Sequence, residues 1–234
     1  MNFDYALSLH GKPKRERFED PNFNPARANW LGWLCDTLSD QGIASAAPCM
    51  QMAWKGDMAQ WVRSLELQLY FRRTDSGLVL PMKNWISESP SMHSRIVYIG
   101  HSMAAQAYFA RLTRLLEFGQ RLDSYSDILP KALVLVAPYI DLKEKYTQGE
   151  EWRCIDPRLS DVIERIILVH SREDQGGVPE SIDYIMGALP SAELVELDGY
   201  GHFITGNAMD PDYDLGHDLR GSSFPELIRI LETV

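Results

Sequence analysis

Short apolar runs alternate with amphipathic stretches along the whole 234-residue chain. The runs at 5–9 (YALSL), 43–47 (IASAA), 95–100 (RIVYIG), 132–138 (ALVLVAP), 165–170 (RIILVH) and 192–197 (AELVEL) have the length of β-strands. Several are almost wholly apolar, the pattern of parallel strands covered on both faces. The intervening segments repeat at helical spacing instead. Trp30, Leu34 and Leu38 recur every fourth residue, with Gly42 as a stop. Trp61, Leu65 and Leu69 do the same behind Asp57, which is placed to cap the helix. Residues 103–118, 179–189 and 224–233 complete the helical set.

Strands separated by helices predict an α/β fold, a three-layer α/β/α sandwich around a mainly parallel six-stranded sheet with right-handed crossovers. The length suits a single domain spanning 1–234. Three regions interrupt the alternation. Residues 71–94 are expected to form a long loop. Residues 139–164 are charged and partly helical, and are expected to act as a partial cap or a wall of a site. Residues 205–223 are rich in aspartate and glycine.

Composition narrows the function. The formal net charge of −10 opposes binding to nucleic acid or to an anionic membrane. Cys35, Cys49 and Cys154 are too few and too dispersed for a zinc ribbon or a dithiol motif, and are expected to be free, buried thiols. The N-terminal stretch lacks the charge and apolar length of a signal peptide, and no run approaches a membrane span. The chain therefore reads as cytoplasmic.

The chemistry concentrates at 95–112, RIVYIGHSMAAQAYFARL. A strand runs through Gly100-His101-Ser102-Met103-Ala104 directly into a helix. This is the G-x-S-x-G arrangement with alanine in the last place, a sharp corner that lifts a serine oxygen above the sheet. Serine needs a base to become a nucleophile, and the base needs an orienting acid. Both follow in the chain order Ser, Asp, His, each just beyond a strand. Asp174 lies in SREDQGGVP and His202 in DGYGHF. Glu173 is the competing acid, and Asp141, after the strand at 132–138, is a spare one. The helix beginning at Met103 directs its free N–H groups toward the serine, and the turn His10-Gly11-Lys12 lies beside it if the strand order is 2-1-3-4-5-6.

With these residues the chain resembles the α/β-hydrolase superfamily, and within it the small serine hydrolases related to retinoblastoma-binding protein 9. The resemblance rests on the start on a strand, ANWLGWL, GHSMAA, SREDQGGVP and GHF. It implies a compact hydrolase fold with little or no cap. It also implies Ser102 as nucleophile, Asp174 as acid and His202 as base, with backbone N–H groups of Met103 and of Gly11 or Lys12 as the oxyanion hole. The segment DQGGVP is one residue longer than the relatives' pattern, which keeps Glu173 in contention.

Other motifs weigh less. KPKRER (12–17) could pair with an acidic substrate or be a solvated basic loop. DPDYDLGHD (210–218) fails the calcium-loop pattern, because Leu215 and Gly221 occupy the places of the required glycine and glutamate. No dinucleotide fingerprint or P-loop is present, and no cofactor or metal is expected. The expected function is a metal-independent serine hydrolase using an acyl-enzyme, acting on a small carboxylic ester with no nucleic-acid or membrane partner. A thioesterase or peptidase of the same mechanism, or a non-catalytic protein-binding module on the same fold, is the alternative.

Overall fold

The structure is a computed structural model that describes residues 1–73, 79–81, 96–119, 129–204 and 223–234. Six parallel strands form one sheet: β1 (Tyr5–Leu9), β2 (Ala44–Ala46), β5 (Ile96–His101), β6 (Ala132–Val136), β7 (Arg165–Ser171) and β8 (Glu193–Leu197). Their order across the sheet is β2-β1-β5-β6-β7-β8, the expected 2-1-3-4-5-6. The four central strands are buried nearly end to end, whereas β2 and β8 at the edges are half exposed. That difference explains the pattern of the chain, since only a strand flanked on both sides and covered on both faces must be apolar throughout.

The helices flanking this sheet lie close to their expected positions. They are α2 (Leu31–Asp40), α3 (Met58–Tyr70), α4 (Ala104–Gly119), α6 (Val178–Ala188) and α7 (Pro225–Glu232). One-turn helices α1 (Arg15–Phe18) and α5 (Leu159–Val162) lie in the loops. Trp30, Leu34 and Leu38 are fully buried, as are Trp61 and Leu65, so the first stripe and these two residues of the second face the core. Each such side chain contributes about 1.5–3 kcal/mol on burial.

Two expectations are corrected. The span 71–94 is not one continuous loop, because β3 (Phe71–Arg73) and β4 (Val79–Pro81) pair antiparallel. Three-residue strands are too short to show a period. Residues 74–78, 82–95 and most of 205–223 lie outside the described residues. All three cysteines are free, but Cys49 and Cys154 are exposed rather than buried. Each adjoins a buried residue, Met50 or Ile155, in a loop where neighbours along the chain need not share a face. Among the described residues no helix is long and apolar enough to cross a membrane.

Candidate active site

The parallel sheet brings the carboxyl ends of β5, β7 and β8 to one rim, where α/β sheets form their crevices. At the end of β5 the chain must reverse into α4 within two residues. It does so with Ser102 at φ +55°, a left-handed conformation that is strained for any residue with a Cβ. The corner is held from several sides. The Ser102 N–H donates to the Val136 carbonyl at 2.9 Å, and the Ser102 carbonyl accepts from Ala105 and Tyr139 at 3.0 and 3.1 Å.

The small flanking residues have visible reasons. A Cβ on Gly100 would lie 3.0–3.1 Å from the Tyr108 ring and the Leu135 side chain. Tyr108 cannot retreat readily, because its hydroxyl donates to the Leu7 carbonyl at 2.7 Å. Ala104 is fully buried, so there is little room beyond its methyl group. On the other side, a Cβ on Gly11 would come within 2.9 Å of the Ser102 Cβ, so the first loop abuts the serine directly.

The three residues expected from the sequence meet here. His202 Nε2 is 3.0 Å from Ser102 Oγ, and His202 Nδ1 is 3.0 and 3.1 Å from the two carboxylate oxygens of Asp174. An ionised carboxylate only accepts, so Nδ1 carries the proton and Nε2 of the neutral ring accepts from the serine hydroxyl. The Asp174 side chain is 1% exposed and that of His202 18%, which leaves the imidazole within reach of a ligand and the carboxylate sealed behind it. Asp174 also accepts the Gln175 N–H at 2.8 Å.

The competing acids are occupied elsewhere. Glu173 accepts from the Ser171 hydroxyl at 2.6 Å and the Gly199 N–H at 2.8 Å, which hold its carboxyl below the usual range and tie β7 to the loop after β8. Asp141 is buried and accepts N–H groups of Lys145, Tyr146 and Thr147 at 2.9, 2.6 and 2.8 Å. It braces the loop after β6.

Two further histidines shape the surroundings. His101 donates from Nε2 to the His202 carbonyl at 2.8 Å, so the residue before the serine anchors the loop of His202. Burial, helped by the nearby His202 and His10, pushes its pKa down to about 3 despite that hydrogen bond. His10 donates from Nδ1 to the Gly11 carbonyl at 2.7 Å and accepts the Met50 N–H at 3.0 Å, which fixes it neutral. Burial lowers its pKa to about 4. Trp30, from ANWLGWL, packs edge-on against His101 and Phe224, and Phe224 packs against Phe203.

A cavity of about 470 Å³ opens over Ser102. Met103, Lys12, Tyr139, Lys145 and Tyr146 line it with Ile204. From the span 139–164 the cavity takes Tyr139, Lys145 and Tyr146, while Gly11 and Met103 both adjoin the serine. Lys145, Tyr139 and Tyr146 were not singled out from the sequence, because no motif or period marks single residues in an irregular loop. Among the described residues no group of three or more metal-ligating side chains occurs.

The fold has counterparts of known structure. The crystal structure of the ydeN gene product from B. subtilis superposes with a TM-score of 0.63, covering 98% of this chain and 97% of that one at 15% identity. The fold is that of the α/β hydrolases. Est1E from Butyrivibrio proteoclasticus shares the α/β-hydrolase fold at a TM-score of 0.50 and 13% identity, over 88% of this chain and 83% of that one. No protein-family model and no curated protein matches the sequence. At these identities the α/β-hydrolase fold is what is shared, and the narrower resemblance to the retinoblastoma-binding protein 9 group stays an expectation.

Proposed function

We propose that the protein is a serine hydrolase that cleaves small carboxylic esters through an acyl-enzyme. The observation that carries this reading is the unbroken hydrogen-bonded chain Ser102–His202–Asp174 on a strained corner beneath an open cavity. A left-handed serine between a strand and a helix is costly, and such strain persists where surrounding structure enforces it.

In the proposed mechanism Ser102 Oγ attacks the ester carbonyl carbon while His202 Nε2 takes its proton. Asp174 holds the imidazole in the required tautomer and stabilises the imidazolium. Backbone N–H groups of Met103 and of Gly11 or Lys12 would receive the oxyanion. Losing one such donor typically lowers turnover about 100- to 1,000-fold. The imidazolium then protonates the departing alkoxide, leaving the acyl group on Ser102. Water attacks that ester with His202 again as base, releasing the acid and restoring the serine. An alkoxide leaves more readily than an amide nitrogen, which favours esters over peptides.

The test is labelling by a fluorescent fluorophosphonate, which reacts only with activated serines. Wild-type protein should label and Ser102→Ala should not, with circular dichroism unchanged. A folded wild type that stays unlabelled would leave the fold as a binding scaffold.

A further inference from the structure

The cavity over Ser102 is lined by a pair of positive charges that ester hydrolysis itself does not require. Lys12 comes from the loop after β1 and Lys145 from the loop after β6, and both line the cavity over Ser102. Their ammonium nitrogens lie 4.1 and 5.1 Å from the centroid of one ring, that of Tyr146. Two loops about 130 positions apart in the sequence thus bring two cations to one ring in a protein of net charge −10.

No ion pair of either lysine with a carboxylate occurs among the described residues. The carboxylates nearby are already engaged. The oxygens of Asp141 take three backbone N–H groups and the Tyr139 hydroxyl, and those of Asp174 take His202 and Gln175. Lys12 is half buried, and that burial pulls its ammonium below the usual range, with Lys145 adding to the effect and Tyr146 and Asp141 opposing it. A half-buried cation without a counterion pays a desolvation cost that an incoming anion relieves.

Resting on the hydrolase reading above, we infer that the substrate carries a free carboxylate, which Lys12 and Lys145 bind across the face of Tyr146 while Ser102 attacks the ester. The chemical class is a monoester of a dicarboxylic acid, or an ester whose alcohol portion bears the acid. The pair would act on selectivity, drawing an anion into a cavity that the protein's overall charge would otherwise disfavour.

The experiment compares matched esters. 4-Nitrophenyl hydrogen glutarate is set against 4-nitrophenyl pentanoate, placing the charge on the acyl side. 3-Acetoxybenzoate is set against 3-methylphenyl acetate, placing it on the alcohol side. In one of the two pairs the anionic ester should have the higher kcat/KM by roughly tenfold, from one charge-assisted contact. The preference should fall toward unity in Lys145→Met, return in Lys145→Arg, and shrink in 0.5 M salt. Lys145 is exposed, so its replacement does not threaten folding. No preference for either anionic ester, or a preference that survives both Lys145→Met and Lys12→Met, overturns the inference.

If no ester is turned over, the hydrolase reading fails and calorimetry with glutarate decides the carboxylate site alone. Binding that Lys145→Met weakens several-fold sustains it, and absence of binding overturns it.

Discussion

Replacing Ser102 by glycine should leave the protein more stable than replacing it by alanine, and the order should reverse at residue 187. Ser102 sits at φ +55°, where a Cβ costs about 1–2 kcal/mol. Both replacements remove Oγ and its hydrogen bond to His202, so that loss cancels in the comparison. Glycine gives back about 0.4–1 kcal/mol through the greater freedom of its unfolded chain. The difference expected is about 1 kcal/mol in favour of glycine, or roughly 3 °C in Tm for a chain of this size. Gly187 provides the opposite sign. It is exposed within α6, and a Cβ there would meet nothing within 4 Å, so Gly187→Ala should gain about 0.5–1 kcal/mol. Urea unfolding followed by far-ultraviolet circular dichroism, with m-values equal across the set, measures all three variants. If Ser102→Ala matched or exceeded Ser102→Gly, the backbone would not be held left-handed at 102. The strained corner, and the argument from it to an exposed nucleophile, would then fall.

Three other outcomes are expected. Gly11→Ala should slow fluorophosphonate labelling roughly 100-fold with circular dichroism retained, since the new methyl would displace Ser102 by up to an ångström; undiminished labelling would mean the first loop yields. Asp174→Asn should lower kcat about 10,000-fold through the wrong imidazole tautomer, whereas Glu173→Gln should change it by less than tenfold; the reverse ranking would move the acid to Glu173. Stability should fall below neutral pH. His10 and His101 have pKa values near 4 and 3 in the folded protein against 6.5 unfolded, so their contribution is complete above pH 6.5 and is lost as the pH falls from there toward 4 for His10 and toward 3 for His101. Unfolding free energies from urea titrations at pH 7 and 5 should differ by about 3–4 kcal/mol for the pair, and a flat profile would show that these rings protonate freely in the folded state.

The sheet order and the meeting of Ser102, Asp174 and His202 were legible because each rests on a strong local signal. The central strands are mostly apolar, and each of the three residues lies in the loop or turn that follows a strand, Ser102 after β5, Asp174 after β7 and His202 after the half-exposed β8. The choice between Glu173 and Asp174 was not legible with certainty. The structure puts Asp174 against His202, while Gly199 and Ser171 draw Glu173 away through contacts no spacing reveals. Lys145 and Tyr146 were invisible for a similar reason. Their positions follow from a loop wrapped around the carboxylate of Asp141, and that wrapping is recorded in hydrogen bonds rather than in any periodic pattern. Likewise, three-residue strands such as β3 and β4 carry no period long enough to recognise.

The bonds that unite the site reach far along the chain. Ser102 meets His202 across 100 residues, and His101 holds the carbonyl of His202 across 101. Contacts of such separation repay their loop-closure entropy only late in folding. On the ribosome, Ser102 emerges long before β8 and the loop that follows it. Until that last edge docks, the serine is an ordinary alcohol with no base at hand. On the proposed mechanism a nascent or partly unfolded chain is thereby kept chemically inert, and reactivity arrives together with the finished sheet.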